Sequence, residues 1–206
     1  MHDHAFTVGF DLDMTLADTR AGIGAVLDAL SAESGVFIDS KLSVTRLGPP
    51  LAIELAHWFT ADQVPVMVAR FRELYAGIAV PVTTPMAGAV TALAAVRDTG
   101  GRVIVVTAKN QRDAERTIRF LDLPVDRVVG SLWAAEKGRA LMEHRATVYV
   151  GDHIGDIDAA RAASARSVAV ATGPFDVAAL RAYGADLVLP DLLSFPDRLD
   201  DLGVIG

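Results

Sequence analysis

An α/β fold is predicted for this 206-residue chain, with a doubly wound, mostly parallel sheet and a small α-helical insertion. Three observations carry the prediction. Short apolar runs alternate with helical patterns through the second half of the chain. A long stretch with little strand signal separates the first such run from the others. Two of the apolar runs end in paired aspartates.

The first run, Ala5 to Phe10, reads as a buried strand ending at Asp11. The next comparable run, Arg102 to Thr107, comes almost a hundred positions later. A helix over Ala114 to Leu121, a strand over Arg127 to Val129 and a helix over Ala134 to His144 follow. Then come a strand over Thr147 to Val150, a helix over Ile157 to Ala165, a strand over Ser167 to Val170 and a last short strand over Leu187 to Leu189. Strand and helix in alternation imply crossovers of one hand and helices on both faces, the Rossmann-like arrangement. Between the first two strands, apolar spacing predicts helices over Arg20 to Ala32, Leu51 to Phe59 and about Asp62 to Ile78. Pro65 suits only the first turn of the third. Pro81 and Pro85 break the chain before a helix over Gly88 to Arg97. The division is therefore 1–15 and 86–206 as the α/β core, with 16–85 as a helical cap.

Composition narrows the function. Hydrophobic residues make up 51% and charged residues 22%, as expected of a globular chain. No apolar run is long enough to span a bilayer, and the first residues lack the pattern of a signal peptide, so a cytoplasmic protein with no membrane partner is expected. There is no cysteine, which excludes disulfides, thiolate catalysis and zinc–thiolate sites. The net charge is −7 with scattered basic residues, so nucleic acid is not an expected partner. Nothing in the pattern specifies an oligomeric state.

The aspartate pairs are the chemical signal. One is Asp11-Leu12-Asp13-Met14-Thr15; the other is Gly151-Asp152-His153-Ile154-Gly155-Asp156. Ligands of open parallel sheets bind beyond the carboxyl ends of the strands. Four carboxylates gathered there would repel one another, and a hard divalent cation such as Mg²⁺ is the economical remedy. Thr107 ends the second core strand, where its hydroxyl is placed to bind a phosphate oxygen. Lys137 begins the helix before the fourth core strand; lysine otherwise occurs only at positions 41 and 109. A nucleophile, a metal and cations over the equatorial oxygens are what phosphoryl transfer requires.

On these residues the chain resembles the haloacid dehalogenase (HAD) superfamily, in the branch with a helical cap after the first strand that includes phosphoglycolate phosphatases. Asp11, Asp13 and Thr15 match the first motif, Thr107 the second, Lys137 the third, and Gly151, Asp152 and Asp156 the fourth. The resemblance implies that Asp11 is the covalent nucleophile and Asp13 the acid–base. It implies that Mg²⁺ is held by Asp11, the Asp13 backbone carbonyl and Asp152, with Asp156 close by. Thr107 and Lys137 would hold the transferring phosphoryl of a small phosphorylated metabolite. Thr15, Ala108 and Lys109 are expected at the substrate, and Lys109 is the alternative to Lys137 as the phosphate-neutralising lysine. Arg20 and Arg46 are the cap candidates for substrate recognition. Met14 stands where the family commonly has Gly, which is expected to restrict the turn. A phosphomutase and a receiver-like phosphoaspartate domain are the competing readings; the second lacks a large insertion after its first strand. Among the histidines, His153 is expected in a loop, His57 in the cap's packing, and His2, His4 and His144 at the surface. Phe71 and Tyr75 are expected in the cap core.

Overall fold

The computed structural model describes residues 6–203, so His2, His4 and Ala5 lie outside the described residues. Strand β1 (Thr7–Phe10) is buried along its length. It is followed by a two-residue strand β2 (Ala17–Asp18) and helices α1 (Arg20–Ser34), α2 (Ser40–Ser43), α3 (Leu51–Leu55) and α4 (Val64–Ile78). Strand β3 (Thr84–Pro85) pairs antiparallel with β2 and so clasps the helical insertion at its base. Beyond it the chain runs α5 (Ala89–Asp98), β4 (Arg102–Val106), α6 (Gln111–Phe120), β5 (Arg127–Val129) and α7 (Ala135–Glu143). It ends with β6 (Ala146–Gly151), α8 (Ile154–Ala162), β7 (Arg166–Val170), α9 (Val177–Tyr183) and β8 (Leu187–Leu189).

Six strands form one parallel sheet in the order β5-β4-β1-β6-β7-β8. β1 lies between β4 and β6, and the strand order reverses around it. The crevice beyond its carboxyl end is therefore where such a sheet takes a ligand. Alternation along the strands builds both faces. Val103 and Val105 pack with Ala92, Leu93 and Val96 of α5, whereas Ile104 and Val106 pack with Leu141 of α7 and Ala159 and Ala160 of α8. The insertion has its own core, with Val26, Leu27, Leu30, Leu55, Phe71 and Tyr75 buried together. Each such side chain contributes roughly 1.5–3 kcal/mol on burial, enough in sum to hold short helices that would not persist alone.

The differences from the sequence expectation are local. The helix expected over Leu51 to Phe59 stops at Leu55, and the amides of His57 and Trp58 turn to carbonyls three residues back. His57 is exposed rather than packed, and His144 is half-buried rather than free. The β2–β3 ribbon was not expected. No helix among the described residues is long and apolar enough to cross a membrane.

Candidate active site

β1 delivers Asp11 to the crevice. The Asp11 amide still donates to the Val150 carbonyl at 2.8 Å, continuing the ladder by one residue. The chain then folds back on itself, and the Leu12 carbonyl accepts from the amides of Thr15, Leu16 and Ala17. This turn separates the two acidic side chains that strand alternation would have put on one face. Met14 makes it by adopting a left-handed conformation, with φ of 61°. The expected restriction is therefore not seen. Methionine occupies the glycine conformation at a cost of about 1–2 kcal/mol, offset by a buried side chain and a 2.6 Å hydrogen bond from the Thr172 hydroxyl to its carbonyl.

Asp11 sits on Lys137. The ammonium, only 1% exposed, donates to Asp11 Oδ1 at 3.0 Å and to Asp156 Oδ1 at 2.7 Å. Burial alone would pull its proton off, but the two carboxylates outweigh burial and hold Lys137 well above its ordinary value. Asp11 responds the other way. Desolvation, against the pull of Lys137 and with the push of Asp156 and Asp13, raises it to about 6. Asp152 is driven well above its usual range by burial first, then by Asp156 and Asp11.

Asp11, Asp152 and Asp156 can bring one carboxylate oxygen each within 4.8 Å of the others. Asp152 Oδ1 accepts from the Thr15 hydroxyl at 2.9 Å, while its Oδ2 is buried with no partner among the described residues. Gly173 packs so tightly against that oxygen that a Cβ there would collide with it. A buried, unpaired acceptor within a cluster of hard oxygen donors fits Mg²⁺. Asp156 is the least free of the three: it also accepts from the His153 amide at 3.1 Å, closing the N-terminal cap of α8. The Asp13 carboxylate lies apart from this cluster.

Asp13 instead faces the insertion. Its Oδ1 accepts from the Thr19 hydroxyl at 2.7 Å and from Lys109 Nζ at 2.9 Å. The Lys109 side chain is buried, and its Nζ lies 4.5 Å from the ring centroid of Tyr75 on α4. Burial would lower its affinity for a proton; Asp13, more than offsetting that, raises it above the ordinary lysine value. Thr107 is buried, and its Oγ1 accepts from the Lys109 amide at 3.2 Å. Asn110 caps α6 through its bond from the Asp113 amide, which leaves Thr107 free of that duty. Asp13, Ala108 and Lys109 open into a cavity of about 270 Å³ between core and insertion. Ile23, Leu27, Leu47, Pro49, Leu51 and Phe71 give it an apolar wall.

The structure thus brings together Asp11, Lys137, Asp152 and Asp156, and beside them Asp13, Lys109, Thr107 and Ala108. It does not bring Arg20 or Arg46 there. Arg20 is exposed and grips Asp18 with two nitrogens, and Arg46 is held by both oxygens of Glu54. Each guanidinium has a carboxylate nearby in sequence that competes better than a distant anion. Thr15 serves Asp152 rather than a substrate. Thr19, Tyr75, Gly173 and Arg72 were not foreseen. Arg72 lines the cavity and forms no ion pair among the described residues; its place beside Phe71 on α4 is the signal that could have found it. His153 is the N-cap residue of α8, its ring packed between Trp133 and Phe175.

Comparison with known proteins gives the fold and the family. A phosphoglycolate phosphatase from Caulobacter vibrioides is 27% identical, over 95% of this chain and 92% of that protein. A haloacid dehalogenase-like family hydrolase from Streptococcus pneumoniae superposes with a TM-score of 0.81 at 24% identity, covering 92% of this chain and 96% of the other. A Clostridium acetobutylicum protein described as a predicted phosphatase superposes at 0.83 with 20% identity, covering 97% and 100%. These two likenesses establish the fold. The model of the haloacid dehalogenase-like hydrolases matches residues 8–170. That span holds every residue of the acidic cluster and both of its lysines, and the chain belongs to the haloacid dehalogenase-like hydrolase family.

Proposed function

We propose that the protein is a magnesium-dependent phosphatase that hydrolyses a small phosphate monoester, a phosphoglycolate-like metabolite, through an aspartyl phosphate on Asp11. One observation carries the reading. Asp11 ends the central strand beside a buried lysine and within reach of two further carboxylates, one of which has an unpaired buried oxygen. A carboxylate so placed is a nucleophile for an electrophile that arrives with its own negative charge and counter-cation. The Caulobacter relative supports the choice of phosphate ester.

Asp11, Asp152 and the Asp13 main chain, with Asp156 beside them, would hold Mg²⁺; when bound it offsets negative charge on the phosphoryl oxygens. Lys137 keeps Asp11 oriented by the hydrogen bond to Oδ1 and presents positive charge to the transferring group. Thr107 offers its hydroxyl to a phosphoryl oxygen. Asp13 delivers a proton to the leaving oxygen and takes one from the water that cleaves the aspartyl phosphate. The helical insertion acts as a cap, and the cavity beneath it admits a metabolite-sized leaving group and excludes bulk water.

A panel of small phosphate esters assayed for phosphate release tests the proposal. Activity with Mg²⁺, abolished by chelation and restored by re-addition, is expected. Full turnover in excess chelator, or no release from any ester, refutes it.

A further inference from the structure

We infer that Tyr75, carried by α4 of the insertion, is a positioning residue for the acid–base Asp13 and acts through Lys109. The inference rests on the phosphatase reading, in which Asp13 exchanges protons with the leaving group and water.

Both donors onto Asp13 reach the same oxygen, Oδ1: Thr19 from the start of α1 and Lys109 from the loop before α6. Oδ2 has no protein partner among the described residues, and Asp13 lines the cavity. A carboxylate pinned by one oxygen presents the other in a fixed direction, and Asp13 borders the cavity that would take the leaving group. The pin is only as firm as Lys109. A lysine on a loop has a flexible stem and three rotatable donors, and in water its ion pair with Asp13 would be loose. Tyr75 changes that. Its ring lies under the ammonium at 4.5 Å, closes it off from solvent and adds the attraction of an aromatic face for a cation.

Tyr75 is itself anchored across the boundary. It is 1% exposed, and its hydroxyl lies 3.4 Å from the Thr117 hydroxyl on α6 of the core. Thr117 in turn donates to the Asp113 carbonyl at 2.9 Å. An aromatic residue needed only for the insertion's own core has no reason to reach a core lysine and a core threonine. The geometry makes the seating of α4 against the core a condition for a rigid Asp13. A substrate that lets the insertion settle would thereby complete the acid–base.

The test compares two leaving groups. Propyl phosphate needs its leaving oxygen protonated; p-nitrophenyl phosphate does not. Tyr75→Leu should lower kcat for propyl phosphate by about tenfold or more, within the range that general acid catalysis supplies, and change that for p-nitrophenyl phosphate by less than about threefold. Tyr75→Phe keeps the ring and should stay within about threefold of the parent on both esters. If Tyr75→Leu does not fold, Tyr75→Met, which keeps more of the buried volume but has no aromatic face, carries the same expectation. Equal losses on both esters in whichever variant carries the test, or a Phe variant as selective as Leu, overturn the inference. A parent enzyme that releases phosphate from neither ester overturns the phosphatase reading itself, and the inference with it.

Discussion

Four carboxylates, Asp11, Asp13, Asp152 and Asp156, share two ammonium groups in this site, which leaves the cluster short of positive charge. That imbalance makes residue-scale predictions. Asp11 is raised from 3.8 to about 6, so below about pH 6 a proton competes with a cation for its oxygens. Mg²⁺ affinity, followed by calorimetry, should therefore weaken as pH falls through 6. A raised folded-state value also means that the folded chain binds this proton more tightly than the unfolded chain. Stability is lost as pH rises from about 3.8 to 6 and stays lost at neutral pH. Asp11→Asn removes that penalty and should raise the melting temperature of the metal-free protein at pH 7. A lower melting temperature would show that the contact with Lys137 outweighs the repulsion. Thr15 predicts through Asp152: Thr15→Val removes the 2.9 Å donor that orients the carboxylate proposed to bind the metal. Mg²⁺ affinity should drop about 10–100-fold, the usual effect of losing such support, in an activity-against-Mg²⁺ titration; unchanged affinity would remove Thr15 from the site.

At the scale of elements, the junction between insertion and core is the part that sequence described least. Strand alternation made β1, β4 and β6 legible, because Val103 and Val105 face one layer and Ile104 and Val106 the other. The aspartate motifs were legible because their residue types and spacing are specific. β2 and β3 were not, since two residues carry no periodicity and the pair is made across 65 intervening positions. Tyr75 was read as insertion core by its helical spacing, and that is half of its role; its other contacts, with Lys109 and Thr117, are long-range. Arg20 and Arg46 show the reverse error, because sequence displays a charge and not the direction in which it points. Gly48 adds a prediction here. It has φ of 134° and packs against the His153 ring, where a Cβ would come within 2.6 Å. Gly48→Ala should destabilise the protein by about 1 kcal/mol or more and raise KM, because the loop can no longer seat on the core. Unchanged KM would show that the contact has no part in closure.

For the whole molecule, the proposed function makes the parallel sheet a chemical platform and the insertion a selective roof. The platform comes from the carboxyl ends of β1, β4 and β6, and the roof from the helices between β2 and β3. A cavity of about 270 Å³ sets the scale of what fits. Small phosphate esters should be hydrolysed far more efficiently than phosphoproteins, and equal efficiency on both would deny the insertion its role as a cap. The central claim is that Asp11 carries the phosphoryl group. Rapid quenching of turnover with a ³²P-labelled aryl phosphate, followed by peptide mapping, tests it most directly. The account predicts label on the peptide containing Asp11, lost in Asp11→Asn and retained, with slowed release, in Asp13→Asn. Label that persists in Asp11→Asn, or that maps to Asp152, would contradict it.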